Sequence, residues 1–264
     1  MRPDDPFARY LELWDIVPDG EVISTQYNAL LPVCRDGRKL MLKVALAEEE
    51  RCGGILLAEW PDGPFAQVLA QADDGVLMAR AHEGGGLAEM AGTDDMSAAK
   101  IICQVAEKIH NSPHPSGLEP LEARFRDLLQ APSDPAFAAG QTHAKYLFEN
   151  ACAPVPLHGD LHHGNVLFFG AEGWKAIDPK GVWGERGFDY ANMFCNPTPE
   201  LALKPGRFEA QLATISEAAK IYPTRLCRWV VAWTGLSAVW SIQGGNDPKP
   251  ALEIGEIAGS ILRG

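Results

Sequence analysis

The sequence predicts an α+β fold: a small N-terminal part of strands plus one helix, followed by a larger, mainly helical part. Three observations carry this. The first ~80 residues hold four apolar runs of strand length separated by turn signals. From Ser97 onward apolar residues recur at helical spacing. One stretch, 155–178, interrupts the helical texture with a strand–turn–strand pattern that has polar residues at both ends.

The runs "NALLPVC" (Asn28–Cys34) and "KLMLKVAL" (Lys39–Leu46) flank Asp36-Gly37, a strong hairpin signal. "EEERCGGILLAEW" (Glu48–Trp60) reads as the helix. Its acidic start suits the positive end of the helix dipole. Gly53-Gly54 weaken it by roughly 1 kcal/mol each. "FAQVLAQ" and "GVLMARA" are two more strands around Asp73-Asp74-Gly75. The glycines of "HEGGG" (His82–Gly86) read as a flexible connection, with no phosphate loop because no Gly-Lys-Ser/Thr follows. Ser97–His110 then places Ile101, Ile102, Val105, Ala106 and Ile109 on one stripe, with Thr93 or Asp94 as the cap. Helical patterns recur near 119–130, 136–150, 206–220 and 224–242. "NVLFF" and "WKAID" are short strands around a turn at Gly170–Gly173.

Length and composition exclude several classes. The 264 residues suit one large or two small domains. No apolar run reaches the ~18 residues of a membrane span. The polar start, Met1-Arg2-Pro3-Asp4-Asp5, lacks a signal peptide's apolar core, so the chain reads as cytoplasmic. Six cysteines without a CxxC pair argue against a disulfide framework or cysteine-zinc site. The net charge of −12 speaks against nucleic acid as a partner. It favours a cationic ligand, although surplus acid kept for solubility explains it equally well.

The chemistry concentrates in "VPLHGDLHHGNVLFF" (Val155–Phe169). His158, His162 and His163 suggest zinc, but Gly159 and Gly164 disfavour the helix on which histidines four apart converge. The oxygen-bearing residues read differently. Asp160 and Asn165 lie five apart on a loop, and Asp178 follows after the hairpin. An amide and a carboxylate suit Mg²⁺, and a carboxylate left off the metal can accept a hydroxyl's proton. That is the layout of phosphoryl transfer in protein kinases. Lys43, in the middle of an apolar strand, is either an edge-strand lysine that snorkels or the phosphate-binding lysine of that layout. Glu48, Glu49 and Glu50 are its candidate partners.

With "HGDLHHGN" and "AIDPKGVWGERGFDYANMFCNP" (Ala176–Pro197) in place, the chain resembles the aminoglycoside phosphotransferase-type kinases, a branch of the protein-kinase-like fold. The likeness runs over roughly residues 20–242 and lies nearest the streptomycin 6-kinase and hydroxyurea phosphotransferase branch. It implies a bilobal fold, with a nucleotide-binding lobe at 1–81 and a catalytic and substrate-binding lobe at 82–264. It implies ATP and Mg²⁺ as cofactors and a small, cationic or hydroxyurea-type acceptor, with no obligate protein partner. Asp160 would be the catalytic base, and Asn165 and Asp178 would hold Mg²⁺. Lys43 would hold phosphates, paired with Glu50. The backbone of Ala79, Arg80 and Ala81 would meet adenine, and Ser24 and Thr25 would stand over the phosphates. His158 would be a strut for the loop. His162, His163, Trp183 and Glu185 are candidates for the acceptor pocket. Asp189 would either brace the catalytic loop or face a cationic substrate. A catalytically silent nucleotide-binding module and a kinase of an unidentified metabolite are the alternatives.

Overall fold

The Asp36-Gly37 turn forms as its sequence predicts. Both residues have positive φ, 51° and 74°, and the strands Asn28–Arg35 and Arg38–Ala45 pair in register from Arg35 opposite Arg38. Positive φ at both positions gives the turn the twist a two-residue hairpin needs. This computed structural model describes residues 5–60, 63–84, 86–132 and 134–264, with the side chains of Glu49 and Pro135 excepted. Gly85 of the "HEGGG" connection and residues 1–4 of the polar N-terminus lie outside that description.

The chain divides into two compact units, and the division is not a single cut. Unit 1 comprises Met1–Gly84, Ser112–Ser116 and Leu167–Lys180; unit 2 comprises Gly85–Asn111, Gly117–Val166 and Gly181–Gly264. The segment carrying Asp178, which the sequence reading put with the C-terminal part, therefore packs within unit 1.

In unit 1, six strands of the described residues form an antiparallel sheet. Alternation along Arg38–Ala45 sends Leu40, Leu42 and Val44 into a core with Leu31, Val33 and Leu77. Met41 and Lys43 consequently point to the other face. A helix the sequence reading lacks, Ala8–Leu13, covers the core with Tyr10. A Cβ on Gly75 would meet that tyrosine ring at 2.4 Å, which explains the glycine after Asp73-Asp74.

The helix Glu48–Glu59 forms despite Gly53-Gly54, and these glycines have a use. A Cβ at Gly53 would lie 3.0 Å from the Pro179 carbonyl oxygen, and one at Gly54 would lie 2.9 Å from Val76 Cγ2. Their missing side chains let the helix approach the sheet and the loop after Asp178. The strands Val166–Phe168 and Trp174–Ala176 form the predicted hairpin. Ala176 fixes it to the sheet segment: its N–H donates to the Pro64 carbonyl at 2.7 Å, and its carbonyl accepts from Ala66 at 2.9 Å.

Unit 2 is mainly helical. The long helix Leu87–His110 is kinked at Asp94, whose φ and ψ are −145° and 74° and whose carboxylate accepts the Ser97 N–H at 3.1 Å. Asp94 is thus the cap of the predicted Ser97–His110 helix, and a preceding helical segment runs into it. Pro135–Glu149 starts from Asp134, which accepts the Ala136 N–H, and Pro223–Gln243 starts with proline at its first turn. Gly140 and Gly235 let these two helices cross closely, since a Cβ on either would lie 3.0 Å from the other's Cα. Phe125, Phe188 and Trp229 meet edge-to-face in the core. Trp240 is half-buried, its indole donating to Asp127 at 2.9 Å. The helix Lys249–Arg263 and the short helices Gly187–Ala191 and Pro199–Ala202 are additions to the sequence reading. No helix among the described residues is long and apolar enough to cross a membrane. All six cysteines are free.

Candidate active site

Lys43 is 4 % exposed and could not stay there without anionic partners. It has two. Its Nζ lies 2.9 Å from Glu50 Oε2 and 2.7 Å from Asp178 Oδ1. Glu50 is therefore the partner among the three candidates. Glu48 is engaged by Arg51 instead, and the Glu49 side chain lies outside the described residues. Glu50 also accepts from the Asn28 amide at 2.8 Å and, on Oε1, from Lys180. Burial opposes its charge, but the hydrogen bonds from Lys180 and Lys43 outweigh that and hold the carboxyl at about 2. Asp178 itself sits at φ 57°, a left-handed conformation that aspartate tolerates better than most residues.

Lys43 and Asp178 close one end of a cavity of about 430 Å³ in unit 1. Its walls are apolar side chains such as Ile23, Leu30, Met78, Leu167, Phe169 and Ile177, and the backbone of Ala79–Ala81 borders it. Arg80 contributes no free side chain, since its guanidinium is folded onto Asp19. An apolar slot with the paired Lys43 and Asp178 at one end has the size and chemistry for a nucleotide. Ser24 and Thr25 do not line it; Gly20, Glu21 and Ile23 do. The Thr25 hydroxyl closes its own turn, accepting the Asn28 N–H at 2.9 Å and donating to the Asn28 carbonyl at 3.1 Å. That hydroxyl is not free for phosphate, a correction to the sequence expectation.

In unit 2 the strand Val155–Leu157 pairs antiparallel with Val182–Gly184 and delivers the chain into the loop of Asp160. Asp189 anchors this loop from beneath. It is 1 % exposed and accepts from the N–H groups of His158 and Gly159, each at 2.9 Å, and from His110 Nε2 at 2.9 Å. Burial works against its charge, yet these donors hold its carboxyl below the ordinary carboxylate range. Of its two expected roles Asp189 has the bracing one, since a carboxylate so enclosed cannot face a substrate. His158 is the expected strut, its Nδ1 accepting the Asp160 N–H at 3.2 Å.

Asp160 is the half-buried group this frame presents. Its carbonyl accepts from the Asn165 amide at 2.9 Å, and its Oδ1 accepts from the Asn192 amide at 2.9 Å. Its Oδ2 lies 3.9 Å from His162 Nε2. His162 is thus beside the carboxylate, while its Nδ1 accepts the Gly164 N–H.

Three acceptor-pocket candidates stand elsewhere. His163 is 1 % exposed, neither pocket wall nor surface. Burial and the Arg207 charge lower its pKa to about 4, against the pull of Asp95, so it stays neutral inside. Glu185 is spent on structure: it accepts from Arg225 at 2.7 Å, from the Trp229 indole at 2.9 Å and from the Cys152 N–H at 3.3 Å. Trp183 borders a small cavity of about 180 Å³ together with Glu185 and Trp229, and Asp160 is not among its lining. Among the described residues no three His, Cys, Asp or Glu side chains converge as a ligand set, and the loop histidines serve turns or packing.

Sequence reasoning missed Asn28, His110, Lys180 and Asn192. Lys180 and Asn192 stand in the quoted segment Ala176–Pro197, two and three residues from Asp178 and Asp189, which was the available signal.

Residues 13–245 match the family described as aminoglycoside/hydroxyurea antibiotic resistance kinase. The chain is 43% identical over 245 residues to the streptomycin 3''-kinase of Klebsiella pneumoniae, covering 89% of this chain and 92% of that one. It is 30% identical to the streptomycin 6-kinase of Streptomyces glaucescens, over 89% and 82%. It is 24% identical to the hydroxyurea phosphotransferase of Kitasatospora aureofaciens, over 94% and 75%. The likeness to the 3''-kinase thus exceeds that to the 6-kinase branch which the motifs suggest. The fold matches aminoglycoside phosphotransferase APH(4)-Ia, solved with AMP-PNP and hygromycin B, with a TM-score of 0.69 at 15% identity over 97% of each chain. It also matches the choline kinase LicA from Streptococcus pneumoniae, at 0.64 and 14% over 97% of each. The fold is the protein-kinase-like one, and the chain belongs to the aminoglycoside/hydroxyurea antibiotic resistance kinase family.

Proposed function

We propose that the protein transfers the γ-phosphoryl group of ATP to streptomycin, at the hydroxyl its 43%-identical relative is named for, the 3''-position. The observation that carries a kinase reading of the geometry is Asp160. It is a carboxylate on a loop braced through Asp189 and His158, with one oxygen held by Asn192. Such a group can orient a hydroxyl and take its proton. The acidic balance of −12 suits an acceptor bearing guanidinium groups. ATP would lie in the unit 1 cavity, its phosphates toward Lys43 and its adenine toward the backbone of Ala79–Ala81. Asn165 and Asp178 are the oxygen donors that would hold Mg²⁺. Bound Mg-ATP would supply the phosphoryl group and neutralise its developing charge. The chain's own part is then positioning: Lys43 holds charge, Glu50, itself held by Lys180, keeps Lys43 in place, and Asp160 receives the acceptor proton. The reaction takes place without a covalent enzyme intermediate in this reading.

The direct test supplies purified protein with ATP, Mg²⁺ and streptomycin, couples ADP release to a spectroscopic readout, and locates the phosphate by NMR. Phosphate on the 3''-oxygen is expected. ADP release with hydroxyurea but none with streptomycin would reassign the acceptor. The metal role has its own test. Asp178→Ala is expected to weaken Mg-ATP binding by roughly tenfold or more, the scale on which even a second-shell metal partner acts. Titration calorimetry with unchanged affinity would remove Asp178 as a ligand.

A further inference from the structure

Building on the proposed role of Asp160, we infer that Asn192 is a positioning residue that gives the two oxygens of Asp160 different work, reserving Oδ2 for the acceptor proton. The inference rests on an amide chain whose direction is fixed. Asn196 donates through Nδ2 to the Asn192 carbonyl at 3.0 Å and to Asn192 Oδ1 at 2.9 Å. Because Asn192 Oδ1 is the acceptor there, its Nδ2 is the end turned to Asp160, and it donates to Oδ1 at 2.9 Å. A flipped Asn192 would set an amide oxygen against a carboxylate and leave the Asn196 donor without its partner.

The chain is built to be rigid. Asn192 is 8 % exposed and begins the turn Asn192–Cys195, directly after the helix Gly187–Ala191 that carries Asp189. The same short segment thus holds the loop twice: Asp189 fixes its backbone at His158 and Gly159, and Asn192 fixes its reactive side chain. The Asn196 end is tied as well, since Arg207 donates to the Asn196 carbonyl at 2.7 Å while paired with Asp95. With Oδ1 occupied, Oδ2 is the oxygen of Asp160 without a direct hydrogen bond among the described residues; His162 lies 3.9 Å away. A carboxylate free to spin offers either oxygen in many directions. One pinned at Oδ1 offers Oδ2 in one, and misalignment of a reacting group on the scale of 1 Å costs about 10²-fold in rate.

The test is steady-state kinetics on Asn192→Ala, Asn192→Asp, Asp160→Ala and the double variant Asp160→Ala/Asn192→Ala, with thermal melting beside it. Asn192→Ala is expected to lower kcat by about 10²-fold with the KM for ATP and for the acceptor within about twofold. Asn192→Asp keeps the shape but cannot donate, and is expected to lose at least as much. The double variant is expected to match Asp160→Ala alone, because Asn192 acts only through Asp160. A structural role would instead lower Tm and subtract further activity in the Asp160→Ala background. Wild-type kcat in Asn192→Ala alongside an inactive Asp160→Ala overturns the inference and leaves the base assignment standing. An active Asp160→Ala removes the assignment itself.

Discussion

Asp160→Ala is expected to lower kcat by about 10²–10⁴-fold, the range that general-base catalysis contributes, while the affinity for ATP changes little. The two halves of this expectation have separate physical grounds. The loss in kcat follows from removing the carboxylate that the loop presents on a braced backbone. The unchanged affinity follows from the lining of the cavity proposed for ATP, which lies wholly in unit 1 and does not include Asp160. The loop itself should keep its form, because its ties run through backbone atoms: the Asp160 N–H to His158 Nδ1 and the Asp160 carbonyl to Asn165. Asp160→Asn should be as inactive, since an amide keeps the shape but cannot take the proton. Single-turnover measurement with saturating ATP checks the rate, and calorimetry checks binding. Wild-type kcat in either variant would leave Asp160 without its role.

What the sequence discloses here depends on how far the reporting interaction reaches along the chain. Asp160 and Asn165 are readable because both stand on one loop with flanking glycines. The Asp36-Gly37 hairpin and the Gly170–Gly173 turn are readable for the same local reason. Lys43 is readable because a buried ammonium in an apolar strand demands an explanation. Its full set of partners is less so: Lys43 and Asp178 are 135 positions apart, as are His110 and Asp189 by 79. Local patterns also mislead when tertiary approach sets the residue. Gly53-Gly54 look like a helix flaw, yet they make room for the Pro179 carbonyl and Val76. Polar residues beside a catalytic motif look like substrate contacts, but Glu185 is committed to Arg225 and Trp229, and His163 is enclosed. Burial decides between pocket wall and structural brace, and burial is not a property of a short segment.

Asp189 is where that distinction has its largest energetic consequence. Asp189→Ala is expected to destabilise the protein by about 3–5 kcal/mol, the cost of leaving the partners of a buried charge unpaired. For a chain of this size that corresponds to a fall in Tm of about 10 °C. Three buried donors lose their acceptor at once: His110 Nε2 and the N–H groups of His158 and Gly159. Two of them belong to the backbone of the loop that presents Asp160, the proposed base, so kcat should fall with Tm, unlike in the Asp160 variants. Asp189→Asn keeps one acceptor oxygen and should lie between. The pH dependence provides a second reading. The folded-state pKa of Asp189 is depressed below its unfolded value, which is about 3.9. Its contribution is therefore complete above that value and is lost as pH falls through the lower folded one. His110 and His158 face it from two other elements. The acid limb of the wild-type stability curve should consequently be steeper than that of Asp189→Asn. Thermal melts of both proteins from neutral pH down into the carboxylate range measure this directly. Superimposable acid limbs would mean that Asp189 is not the charged anchor of the loop.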